Sequence, residues 1–190
     1  MASWGPPQNL LAADKVSEFP SFNIDNVSIY GNERWFYNAR EVTAPQTTPW
    51  QHDIKVERGK TYLLRAFVHN SAGESDKDLA RDTRIKVNLP TCTGRRIAST
   101  AFIVSSNAEP PEIWDSVHFA ADEPFNLAYV PGSAMLCNNH FRCDSPSGDG
   151  AEISNDFLTS TGALIGDDSL DGSMRGGYQY SAWFYFEVRA

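Results

Sequence analysis

Two cysteines stand six positions apart with a histidine midway, in the stretch Cys137-Asn-Asn-His140-Phe-Arg-Cys143, and a third, Cys92, stands alone. Three chemistries use such residues. As zinc ligands, Cys137, His140 and Cys143 would need a fourth, Cys92 or His118, to complete a tetrahedron, and Cys-x2-His-x2-Cys is not the spacing of a familiar knuckle. As a redox centre the pair lacks the Cys-x-x-Cys spacing that lowers a thiol pKa. As a disulfide, Cys137 and Cys143 would pinch a short polar loop and stabilise by roughly 2 kcal/mol, less any strain in the bond. The disulfide is the reading that fits best, with Cys92 a packed thiol at the end of a strand.

A second set is acidic. Asp167, Ser169, Asp171 and Gly172 place oxygens at alternate positions and then a glycine, as a calcium loop opens. Tyr178 occupies the twelfth position, where an EF-hand carries a bidentate Glu, so a solvated acidic turn competes with calcium, the one candidate cofactor. A third set is aromatic: Trp35, Tyr37, Trp50, Trp114, Trp183 and Tyr185 could offer stacking faces to sugars or build a core. Trp183 and Tyr185 are the candidate ligand-binding pair, because they face away from the apolar row Phe184, Phe186, Val188. No G-x-S-x-G elbow, H-E-x-x-H pair, phosphate loop or dinucleotide fingerprint occurs, and the histidines are isolated in sequence, so the chain reads as a non-enzyme.

What must position these residues is a set of short strands. Period-two alternation places Thr83, Ile85, Val87 and Leu89 on one face of one segment. Tyr62, Leu64, Ala66 and Val68 share a face of another, with Arg65 and His69 opposite, and Ala182, Phe184, Phe186 and Val188 share a face of a third. Further strands are expected over 26–31, 34–41, 52–57, 99–106, 115–120 and 125–130, separated by turn signals such as Arg58-Gly59, Pro110-Pro111 and Pro131-Gly132. About ten short strands and no long amphipathic helix predict an all-β fold: a single antiparallel sandwich over 21–190 with an N-terminal arm over 1–20. Within the arm, residues 9–19 form either a short helix capped by Asn9 or an extended segment that covers a sheet edge. The arm carries Trp4, Leu10, Leu11, Val16 and Phe19, which must dock on its own sandwich or on a neighbouring copy.

The 190 residues carry 16 Lys+Arg against 24 Asp+Glu, a net charge of −8. That charge disfavours nucleic-acid phosphates and anionic membranes as partners. No apolar run approaches the ~20 residues of a membrane span, so no membrane insertion is expected. The opening, Met-Ala-Ser-Trp-Gly-Pro-Pro, lacks the basic and apolar regions of a signal peptide; with a disulfide expected, we read it as a mature exported form with a start Met.

Three stretches resemble the Ig-like repeats of bacterial surface proteins. Residues 59–72 are similar to an entry strand running from Gly-x-x-Tyr to Val-x-Asn, here Gly59, Tyr62, Val68 and Asn70. Residues 81–90 are similar to the next strand, ending in Leu-Pro, and 128–136 carry a Tyr-Val-Pro-Gly-Ser-Ala turn. Residues 22–36, 106–119 and 162–188 resemble uncharacterised exported proteins of actinobacteria and related Gram-positive groups. Such relatives imply a cysteine near Gly177, which this chain lacks. The resemblance implies an exported, cell-surface, immunoglobulin-like module without known catalysis. The function expected is structural or adhesive, with self-assembly into a fibre or array; the partners are itself, neighbouring surface proteins or glycans. The alternative is a calcium-assisted, lectin-like module.

Overall fold

The computed structural model describes residues 11–12, 17–22, 24–25, 35–143 and 150–190. In chain order the strands are β1 (Leu11–Ala12), β2 (Ile24–Asp25), β3 (Tyr37–Glu41), β4 (Asp53–Lys55), β5 (Thr61–Val68), β6 (Arg84–Asn88), β7 (Gly94–Val104), β8 (Glu112–Phe125), β9 (Ala128–Tyr129), β10 (Met135–Cys137), β11 (Ala151–Glu152), β12 (Ala163–Leu164) and β13 (Ala182–Arg189). β1 and β2 pair with each other, and the other eleven strands form two packed sheets. One runs β11-β10-β13-β5-β3, with β9 also pairing β13; the other runs β12-β6-β7-β8-β4. Pairing within the sheets is antiparallel except between β4 and β8. β4 is parallel because the chain crosses from one sheet to the other between β3 and β4 instead of turning back as a hairpin.

Alternation along each strand becomes the two faces of a sheet. Tyr62, Leu64, Ala66 and Val68 on β5 are buried, as are Ala182, Phe184, Phe186 and Val188 on β13 and Ile85 and Val87 on β6. The β5 and β13 rows share one core with the β6 row and with Ile103 of β7 and Ile113, Val117 and Phe119 of β8, all from the facing sheet. Aromatic rings fill the middle: Tyr37 stacks on Phe186 at 6.4 Å, Tyr62 meets Phe119 edge-on at 6.3 Å, and Phe157 contacts Phe184 and Phe186 at 5.2 Å each. Each such ring gains roughly 1.5–3 kcal/mol from burial. The Tyr37 hydroxyl, wholly buried, is satisfied across the sandwich by Ser99 Oγ at 2.8 Å.

The described part of the N-terminal segment lies on its own sandwich. Ser17 N donates to Ser71 O at 3.2 Å, Ser71 N to Ser21 O at 2.8 Å, and Glu109 N to Pro20 O at 2.8 Å, while Phe22 enters the core. Asn70, last residue of the Val-x-Asn motif, organises this region. Its Nδ2 donates to Asp78 O and Met174 O, and its Oδ1 accepts from Ser21 N and Ala72 N. The helix considered for 9–19 is not found at Leu11–Ala12, which are extended and pair parallel with Ile24–Asp25. Asn9 and the strand expected over 26–31 lie outside the described residues.

Candidate functional site

The residues with chemistry gather on the outer face of the six-stranded sheet. Positions on β3, β5 and β13 that alternate with core residues point outward, and the register aligns them in rungs. Asn38, Arg65 and Tyr185 form one rung; Arg40, Leu63 and Glu187 form the next. Trp50, at the end of the loop after β3, lies back over them. Its ring centre is 4.7 Å from the Arg40 guanidinium and 4.0 Å from that of Arg65, which also sits 4.3 Å from Trp183. Trp183 packs in turn on Phe67 at 4.7 Å. Arg65 Nε donates to Asn38 Oδ1 at 2.7 Å, and the Tyr185 hydroxyl beside it favours the charged guanidinium. Arg40 Nη1 donates to the Gln46 carbonyl at 3.0 Å.

Among the described residues neither guanidinium forms an ion pair, even though Glu187 shares the face and Glu41 adjoins Arg40. Glu41 pairs instead with Lys60 at 2.9 Å. Burial pushes the Arg65 pKa down to about 10, the Tyr185 hydroxyl works against that shift, and Arg40 adds to it. Arg65 therefore stays charged at neutral pH while its ordinary hydration is partly replaced by aromatic faces. Arg40, Trp50, Arg65 and Tyr185 all remain partly exposed. The sequence pairing of Trp183 with Tyr185 thus lies inside a larger group whose cationic members pattern reasoning missed. The only advance signal was Arg65 opposite the apolar row of β5; that Trp50 folds over it depends on a loop.

The other aromatics scatter. Tyr37 is core, Trp114 lies beside Phe102 on the opposite sheet, and Trp35, 64% exposed, meets His52 edge-on at 6.0 Å.

At the seam between the sheets, Asp115 of β8 accepts from Tyr37 N at 2.9 Å and from Ser116 N at 2.8 Å, with His52 Nδ1 3.7 Å away. Burial raises the Asp115 pKa to about 7, against the lowering by those two backbone N–H groups, and burial lowers that of His52. The Ser116 backbone beside the imidazole works against that lowering, and the Ser116 hydroxyl pairs with Thr100 Oγ1 at 2.8 Å. Asp115 and His52 close the open edge of β3.

The acidic stretch 167–171 lies along an open groove with Glu74, Asp76 and Arg175. Asp167, 5% exposed, is held by Arg175 Nε, and Asp168 by Arg175 Nη2 at 2.6 Å. Asp171 Oδ1 accepts from Ser173 N at 2.8 Å, and that bond chiefly holds its carboxyl below the ordinary value. Asp167, Ser169 and Asp171 are therefore not assembled into a cage, and no cluster of three metal-ligating side chains occurs among the described residues.

Cys137 and Cys143 form the disulfide, with Cα atoms 5.6 Å apart, which excludes both as zinc ligands. Gly150, at φ +71°, lies where a Cβ would come within 2.6 Å of Cys143 Sγ, so glycine is required for the chain to return past the bridge to β11. His140 is exposed and rests against Phe141. Cys92 is a free, exposed thiol and not the packed one expected, because it lies beyond the end of β6, past Pro90. Comparison with protein-family models, curated proteins and solved structures finds no match, so the bacterial surface resemblance enters the reading only as a proposal.

Proposed function

We propose that the chain is a non-catalytic adhesive or structural module of the bacterial exterior. It acts through the outer face of its six-stranded sheet. The observation that carries this reading is the uncompensated pair Arg40 and Arg65 set among Trp50, Trp183 and Tyr185. A face of this kind is costly to keep, because half-buried cations without carboxylates lose hydration for limited return, and it offers contact chemistry without a nucleophile. The Cys137–Cys143 bridge supports an oxidising compartment. The Ig-like resemblance supports the same place and class. The docking of Ser17–Phe22 on its own sandwich supports a self-contained module whose partners are neighbouring surface components, glycans among them, or further copies meeting face to face.

Sedimentation with isolated bacterial cell envelopes tests it, alongside thiol labelling and light scattering. The protein should pellet with envelopes in a salt-sensitive way, and alkylating reagent without reductant should label Cys92 alone. Protein that stays in the supernatant and labels at all three cysteines would reject the reading.

A further inference from the structure

Which partner does that face fit? Three features limit the answer. First, two guanidiniums lie one rung apart with no carboxylate of the described residues on either, in a chain of net charge −8. An acidic molecule that gathers positive charge at one place and leaves it unneutralised presents an anion-binding locus. The planar fork of Arg is suited to carboxylate. Second, the surroundings are not those of a phosphate site. Among the described residues no helix N-terminus or glycine-rich loop points at the group; the neighbours are the indole of Trp50 and the phenol of Tyr185, 6.4 Å apart and tilted at 47°. Such rings supply flat apolar surface beside a polar edge, which matches a pyranose with its C–H groups on one face and hydroxyls around the rim. Third, the surface is a sheet face, not a pit. A strand-built platform is rigid, and its rungs repeat along β5 and β13, so it suits an extended chain better than a single small molecule.

We propose that Arg40, Trp50, Arg65 and Tyr185 form a binding site for an acidic polysaccharide, with the guanidiniums taking uronic-acid carboxylates and the aromatic rings taking sugar faces. This rests on the adhesive reading above and names its ligand. Arg65 is the anchor. Its Nε is committed to Asn38, and contact with Trp50 and Trp183 fixes its plane, so little side-chain freedom is lost on binding. The half-desolvated state of its charge, visible in its lowered pKa, strengthens attraction to an incoming carboxylate. Arg40, held by Gln46 O, supplies the second contact one rung away.

The test is an array of uronic-acid oligosaccharides (galacturonate, glucuronate and mannuronate series), followed by calorimetry on the best of them and on its methyl ester. The ester keeps every ring and hydroxyl but removes the charge. Binding to the acid should weaken at least tenfold in the ester and in Arg65→Met, and about threefold to tenfold in Arg40→Met. It should survive in Lys86→Met on the opposite sheet. Trp50→Phe should retain part of the affinity and Trp50→Ala lose most of it. Circular dichroism and melting temperature establish that each variant is folded. Equal affinity for acid and ester, unchanged binding in folded Arg65→Met, or no binding anywhere on the array would overturn the proposal. Envelope binding that persists in Arg65→Met would overturn this site while leaving the adhesive reading intact.

Discussion

Arg175 and Arg65 both rest on aromatic rings and end in opposite electrostatic states. Arg175 lies 4.1 Å from the Tyr180 ring centre and holds two carboxylates, Asp167 and Asp168; its hydrogen bond to Asp167 raises its pKa. Arg65 lies between two indoles, holds no carboxylate, and has its pKa pushed down by burial. The first is complete within the fold. The second leaves hydrogen-bonding and charge capacity for something outside it. On the facing sheet, Lys86 lies 5.1 Å from the Phe102 ring centre and pairs with Glu112 at 2.6 Å, so a cation on an aromatic ring is neutralised there too. Of the four such cations among the described residues, Lys86 and Arg175 carry their own counter-charge, and the two exceptions, Arg40 and Arg65, mark the candidate surface.

The largest expected effect belongs to the paired arginine. Arg175→Ala would leave Asp167, 5% exposed, without its cation. Removing one partner of a fully buried pair costs about 3–5 kcal/mol. Arg175 is itself 37% exposed, so solvent screens part of this, and we expect about 2–3 kcal/mol in chemical denaturation. The comparison breaks if Arg175→Ala is no more destabilising than Arg65→Met.

Asp115 is the anionic counterpart of Arg65, a buried carboxyl answered by backbone N–H groups and not by a fixed charge. Its folded pKa is about 7 against an ordinary 3.8, so the folded state holds the proton more tightly. The stabilisation is fully present below 3.8 and is lost as pH rises through 7. His52 acts in the opposite sense, since burial lowers its pKa and its contribution is lost as pH falls through that lowered value. Comparing wild type with Asp115→Asn removes the shared histidine effect. Between pH 5 and 8 the wild type should lose about 2–3 kcal/mol more than the variant. Parallel curves would show that Asp115 titrates normally.

Arg65→Met should have a smaller effect on stability, within about 1 kcal/mol, because the lost cation–π contacts of roughly 1–2 kcal/mol are offset by relief from desolvating an unpaired charge. A near-silent melting curve with lost ligand binding is the signature of a residue kept for contact. A loss as large as that of Arg175→Ala would mean that Arg65 is simply structural.

Much of the fold was legible because burial follows the period-two pattern. Every apolar row named on β5, β6 and β13 faces the core, and Leu89, just beyond the end of β6, is partly buried and packs against it. The disulfide was legible from spacing and composition. Short edge strands such as β11 and β12 were not, since two residues carry no period. The parallel pairing of β4 with β8 was hidden because it depends on a crossing between sheets, not on local sequence. For the site, Trp183 and Tyr185 could be placed on one face, but their neighbours Asn38, Arg40 and Trp50 are set by strand register and a loop. The acidic stretch was only partly legible for a related reason: the sequence shows where carboxylates recur but not that Arg175 turns back onto them.

The smallest expected effect follows from that last point and is the sharpest check on the paired half of the comparison. A cation that bound the native 167–171 turn with a hundredfold excess over its Kd would stabilise the fold by ~2.7 kcal/mol, which a melting curve would register plainly. Calcium would first have to displace Arg175 from Asp167 and the Ser173 N–H from Asp171, and it would meet the Arg175 charge in the same groove. Millimolar calcium should therefore leave the melting temperature of the wild type unchanged. Arg175→Ala converts the question into a direct competition. With the guanidinium gone, Asp167, Asp168 and Asp171 face the groove without a fixed cation, and added calcium should recover part of the lost stability. Recovery in the variant together with silence in the wild type would show that Arg175 occupies the place of a metal. A calcium-dependent rise in the wild type would mean that the pairing at Arg175 opens readily, and the contrast with Arg65 would then lose its basis.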